Sequence, residues 1–146
     1  MQERLEFVVK RPREDVFRGL TDMEAMARFA DNPQSPLKVS VAPVPDRPKT
    51  GLGSAVTITV QGAGQAMTME TVEWAPATRC VRALESPDLS ARVAFDFADD
   101  PAGTKVLVEL NMEAKSVLFK MMLPVLAKRL ASEKQALAEK LKDGIG

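Results

Sequence analysis

Apolar and polar residues alternate with a period of two through the middle of the chain and follow a helical period on either side of it. Leu5 to Val9 is rich in β-branched and aromatic residues and reads as a first strand. Pro12 ends it and opens a helix. Glu14 and Asp15 fall in the first turn, where the helix dipole favours negative charge, and Val16, Phe17 and Leu20 form the apolar side. Thr21-Asp22-Met23-Glu24 has the form of a capping box, with Asp22 where a cap is needed. Met23, Met26, Ala27, Phe29 and Ala30 continue at helical spacing until Asn32-Pro33, so a second short helix is expected.

From Leu37 the period changes. Leu37 to Val41 alternates, a proline-rich loop follows through Pro48, and Gly51 and Gly53 bracket a turn. Val56, Ile58 and Val60 alternate with threonines, and Gly62-Ala63-Gly64 reverses the chain into a partner running from Gln65 to Trp74. Arg79 to Glu85, the stretch around Val93, Phe95 and Phe97, and the stretch around Val106, Val108, Leu110 and Met112 add further strands. Turns this short join antiparallel neighbours, so the expectation is a meander with one apolar face. By alternation Arg92, Asp96, Asn111 and Glu113 point away from that face. Glu70 is ambiguous. Met67 and Met69 share one parity and Val72 and Trp74 the other, so a bulge between them is needed.

The apolar face needs a cover, and the last thirty or so residues supply it. Ser116 caps a helix expected to reach about Lys142, roughly 40 Å long at the α-helical rise. Phe119, Met122, Leu126, Leu130, Leu137 and Leu141 share one side of it. Val117 to Ala127 is apolar nearly all round and is expected to be deeply buried. Pro124 lies inside the run, which predicts a kink or a break near Met122.

Composition narrows the chemistry. The 146 residues suit one domain, 1–146, and 20 basic residues balance 20 acidic ones, which gives no electrostatic reason to propose nucleic acid. There is no His and no Tyr. Imidazole-activated nucleophiles, His-ligated metals and a phenolic acid are therefore excluded. Cys80 is the single cysteine, so no internal disulfide forms, and in its apolar strand it reads as a small buried hydrophobe. The N-terminal residues do not form a signal peptide and no stretch spans a membrane, so a cytoplasmic location without an integral membrane segment is expected. No metal-ligand spacing, phosphate loop or dinucleotide fingerprint is present, and no cofactor is expected.

The order of elements, and several short patterns within it, resemble the SRPBCC or START-like superfamily, which includes birch-pollen-allergen-like and polyketide cyclase/dehydrase-type proteins. The resemblance rests on Pro12 with Val16-Phe17-x-x-Leu20-x-Asp22, Gly51-x-Gly53, Val72-Glu73-Trp74-x-Pro76 and Gly103-Thr104-x-Val106, and it spans residues 4–142. It implies an α+β helix-grip fold: a curved antiparallel sheet of six to seven strands wrapped on a long C-terminal helix, two short helices after the first strand, and a cavity between sheet and helix. Members bind lipids, sterols, quinones or polyketides; some are cyclases or dehydratases, and some modulate chaperones.

Eight methionines in a chain of this length suit an adaptable apolar wall. The expected ligand-binding residues are Met26, Phe29, Met67, Met69, Phe95, Phe119, Met122 and Leu126, with Glu70 or Thr71 as a polar contact if either points inward. No catalytic residue is assigned. The leading expectation is carriage of a small hydrophobic ligand such as a lipid, quinone or polyketide. The alternatives are a cyclase- or dehydratase-like enzyme using an in-cavity carboxylate, and a protein-interaction module presenting an exposed apolar patch.

Overall fold

The computed structural model describes residues 2–22, 39–48, 50–60, 66–125 and 127–128. Strand β1 (Gln2–Val9) leads into helix α1 (Arg13–Thr21), and β2 (Val39–Pro43), β3 (Ala55–Val60), β4 (Met67–Ala75), β5 (Arg79–Glu85), β6 (Leu89–Asp100) and β7 (Gly103–Ala114) follow. Residues 117–125 form helix α2, and 127–128 are helical as well. The seven strands make one sheet in the order β1-β7-β6-β5-β4-β3-β2, every pair antiparallel. β2 to β7 are thus a meander, and β1 closes against its last strand.

Register decides which side chains share a face. Val56 pairs with Met69, Met69 with Leu84, Leu84 with Ala91 and Ala91 with Met112. Cys80–Phe95–Val108 and Phe97–Val106–Phe7 form parallel rows on the same side. The alternation read from the sequence therefore holds on β3, β6 and β7. Both helices lie on this inner face. Val16, Phe17 and Leu20 of α1 pack with Phe7, Val9, Cys80, Phe97 and Val106, and Phe17 meets the rings of Trp74 and Phe97 edge-on. Phe119 and Leu123 of α2 pack with Val56, Met67, Met69, Leu84, Leu89 and Ala91. The core is thus two clusters, one under each helix.

The outer face carries charge. Arg79 grips Asp96 at 2.7 Å and Glu73 at 3.2 Å, and Glu73 also meets Arg92. The hydrogen bonds that Arg79 donates to Asp96 and Glu73 raise its pKa above the ordinary arginine value. Val81 and Ala94, paired with each other in the same rows, lie buried within this network.

Several expectations are corrected. Pro12 stands just before α1, not inside it, and its carbonyl accepts the first helical bonds from Asp15 and Val16. Thr21 is the last residue of α1, and its hydroxyl donates to the Phe17 carbonyl at 2.7 Å. Ser116 caps α2 as expected, accepting the Phe119 N–H at 3.4 Å. No break occurs near Met122, because helical structure continues through Pro124 to residue 125. The front of α2 is not buried all round: Val117, Met121 and Val125, four residues apart, are 75%, 72% and 56% exposed. The helix presents Phe119 and Leu123 inward and this stripe outward. The second short helix, the reversal at Gly62-Ala63-Gly64 and the helix beyond residue 128 lie outside the described residues.

Candidate functional site

The inner face is unevenly filled. At its ends Leu89, Ala91, Phe97 and Val106 are buried, whereas Val93 and Phe95 on β6 and Val108, Leu110 and Met112 on β7 are only half-buried. Leu110 belongs to neither core cluster. Its row across the sheet reads Thr71, Arg82, Val93, Leu110 and Glu3, from β4 to β1. This row runs along the seam between the part covered by α1 and the part covered by α2.

Arg82 is the unexpected member. It is 1% exposed and sits on β5 between Cys80 of one cluster and Leu84 of the other. Its Nη2 donates to the Thr21 carbonyl at 2.6 Å, at the C-terminal end of α1 where the helix dipole is negative. Its Nε donates to the Thr71 hydroxyl at 3.4 Å. Thr71 and Ser54 hydroxyls are 2.8 Å apart, and Ser54 Oγ donates to the Gly51 carbonyl at 2.7 Å. A hydroxyl has one proton to give, so Thr71 must be the donor in the pair it makes with Ser54. The bonds then run in one direction, from Arg82 through Thr71 and Ser54 to Gly51, and each polarises the next. Gly51 and Gly53 both adopt φ of +86°, which sharpens the turn that places Ser54.

Burial is the main influence on Arg82 and pushes its pKa below the usual arginine value, against the attraction of the Asp22 charge. Burial likewise pushes the Cys80 thiol up, with the Arg82 charge opposing, so the thiol stays protonated and acts as a packing group.

Of the residues expected to bind ligand, Met67, Met69, Phe119 and Met122 come together in the cluster under α2. Phe95 lies on the same face but against the other cluster, across the Arg82 row, and pairs with Cys80. Glu70 is not a pocket residue. It pairs with Ala55 and Ala83, on the outer face, and its carboxylate meets Arg47 at 3.1 Å. A register shift between Thr71 and Glu73 supplies the bulge that the parity of β4 required, and Thr71 takes the inward place, 1% exposed. Met26, Phe29 and Leu126 lie outside the described residues. Arg82 was not assigned a face from the sequence, although Cys80-x-Arg82-x-Leu84 puts it on the apolar parity of its strand.

Among the described residues no group of His, Cys, Asp or Glu is placed to hold a metal ion, and no helix is long and apolar enough to cross a membrane. An open groove of about 450 Å³ is lined by Gln2, Ala83, Arg92, Asn111, Met112 and Glu113 among others.

No family model matches the chain, and no curated protein matches it. Solved structures do. A protein from Thermus thermophilus is similar over 99% of this chain and 97% of its own, with a TM-score of 0.70 at 19% identity. An uncharacterised Rhizobium leguminosarum protein covers 99% and 93%, with a TM-score of 0.68 at 16% identity. The Aha1 dimer from Colwellia psychrerythraea covers 94% and 96%, with a TM-score of 0.56 at 13% identity. At such identities the likeness shows a shared fold: an α+β, helix-grip-like arrangement of a curved antiparallel sheet with a C-terminal helix against it. Function is not carried by fold alone.

Proposed function

We propose that the protein is a binding or carrier domain of the SRPBCC type, holding a small hydrophobic ligand such as a lipid, quinone or polyketide between the sheet and its helices. The observation that carries this reading is the half-buried apolar middle of the inner face, where Val93, Phe95, Val108, Leu110 and Met112 are left partly open between two closed clusters. A ligand that completes their burial contributes about 25 cal/mol for each Å² of apolar surface removed from water. Met112 and Met122 beside the opening adapt their shape at little cost. A cyclase- or dehydratase-like reaction needs an acid or base on this face; Glu70 lies on the other, and Glu3 is the carboxylate that ends the Arg82 row.

The test is saturable binding of an environment-sensitive hydrophobic dye by the folded protein. Phe95→Asp and Met122→Lys, each shown by circular dichroism to retain native structure, are expected to weaken binding about tenfold or more, because the new charge must lose water when the dye enters. Binding unchanged in both folded variants would place the ligand elsewhere, and no binding by the wild type would contradict the reading.

A second reading, a protein-interaction module, draws on a separate observation. The exposed stripe of Val117, Met121 and Val125 is an apolar surface of the kind such a module needs, and one protein of this fold is the Aha1 dimer. If the dye test fails, this reading takes precedence.

A further inference from the structure

We infer that the inner face takes an amphiphile with a single carboxylate head group, and that the Arg82 guanidinium receives the carboxylate. The inference rests on the ligand-carrier reading and names the ligand class within it.

Arg82 is the bulkiest of the fully buried side chains among the described residues, and it stands on the seam row with half-buried Val93 and Leu110. A buried charge needs compensation, because its lost hydration is worth several kcal/mol. The two bonds it makes to described residues go to neutral acceptors, a carbonyl and a hydroxyl, and use two of its five N–H donors. None of the ion pairs formed among the described residues includes it. The Asp22 charge attracts it as well, but burial outweighs that attraction. The end of α1 supplies roughly half a negative charge, which holds the guanidinium in place and leaves part of its charge unmatched.

The other described strand residues on this face carry no positive charge, as the rows through Leu5, Phe7, Met69, Leu84, Phe95 and Met112 illustrate. One guanidinium neutralises one monoanion, and its planar fork matches the two oxygens of a carboxylate. A phosphate dianion would bring an excess negative charge into the same apolar surroundings. The Arg82–Thr71–Ser54 chain fixes the fork in advance, and half-buried Val93, Leu110 and Met112 on the same face offer the ligand's hydrocarbon part a bed.

Calorimetric titration of the full chain at neutral pH with dodecanoate, dodecanol and dodecyl phosphate, each kept below its aggregation threshold, tests the inference. The wild type is expected to bind dodecanoate about tenfold or more tightly than dodecanol, the value of one charge-assisted pair. Folded Arg82→Met is expected to lose that preference while still binding dodecanol. In the wild type, the Arg82 Nε–H resonance is expected to shift on adding dodecanoate and to stay in place with dodecanol, a readout that requires no variant to fold. Equal binding of acid and alcohol, tighter binding of the phosphate, or an acid preference with the Arg82 resonance unmoved would each overturn the head-group assignment and leave the carrier reading standing. Binding of none of the three would overturn both.

Discussion

Thr71 shows how much one hydroxyl can hold. It accepts from Arg82, donates to Ser54, and its backbone N–H and carbonyl bond Ser54 and Gly53, so it ties β4 and β5 to the turn before β3. Thr71→Val keeps the shape and removes the hydroxyl. Arg82 Nε loses an acceptor and Ser54 Oγ a donor, both buried, and the expected loss of stability is about 1–3 kcal/mol. Thr71→Ser keeps the hydroxyl and is expected to cost less. Urea denaturation reads both as shifts in midpoint at constant slope. Equal losses for Val and Ser would show that the methyl group, not the hydroxyl, matters here. The burial of Arg82 was open to a parity argument, because Cys80 and Leu84 flank it two residues away on the apolar side of its strand. Its compensation was not, since the acceptors come from β4 and α1, eleven and sixty-one residues distant.

At the scale of elements, α2 separates its two faces sharply. Phe119 is buried against Met69, Leu84 and Ala91, and Met121 is exposed two residues later. Phe119→Ala is expected to cost about 3–5 kcal/mol, the combined loss of transfer energy and a residual cavity. Met121→Gln is expected to stay within about 0.5 kcal/mol, as an exposed substitution does. A large loss for Met121→Gln would mean that the stripe is covered in solution, the outcome that favours the interaction-module reading. Strands were legible because alternation needs only one buried face, and β3, β6 and β7 each have one. The bulge in β4 was legible for the same reason, since Met67 and Met69 conflict in parity with Trp74 unless the register shifts. Helix burial was not. The run from Val117 to Val125 is apolar nearly all round in sequence, and only the sheet's position decides that Phe119 and Leu123 face inward and the exposed stripe does not. Glu70 failed as a site residue for a related reason: the bulge falls after Thr71, so the outward parity extends back to Glu70.

At the scale of the molecule, and among the described residues, the sheet lays down one apolar face, α1 and α2 pack on its two halves, and the seam between them holds a buried charge among half-open apolar side chains. Methionine methyl groups report on this arrangement from several places at once. Met67 and Met69 lie deep under α2, Met112 and Met122 border the opening, and Met121 faces solvent. Titrating protein labelled with ¹³C at the methionine methyls with dodecanoate, and following each assigned resonance, measures occupation of the inner face directly. The expected result is a saturable shift of Met112 and Met122, a smaller one at Met69, and none at Met121. Resonances that stay unmoved at saturating ligand, or a shift confined to Met121, would contradict a ligand site between the sheet and its helices.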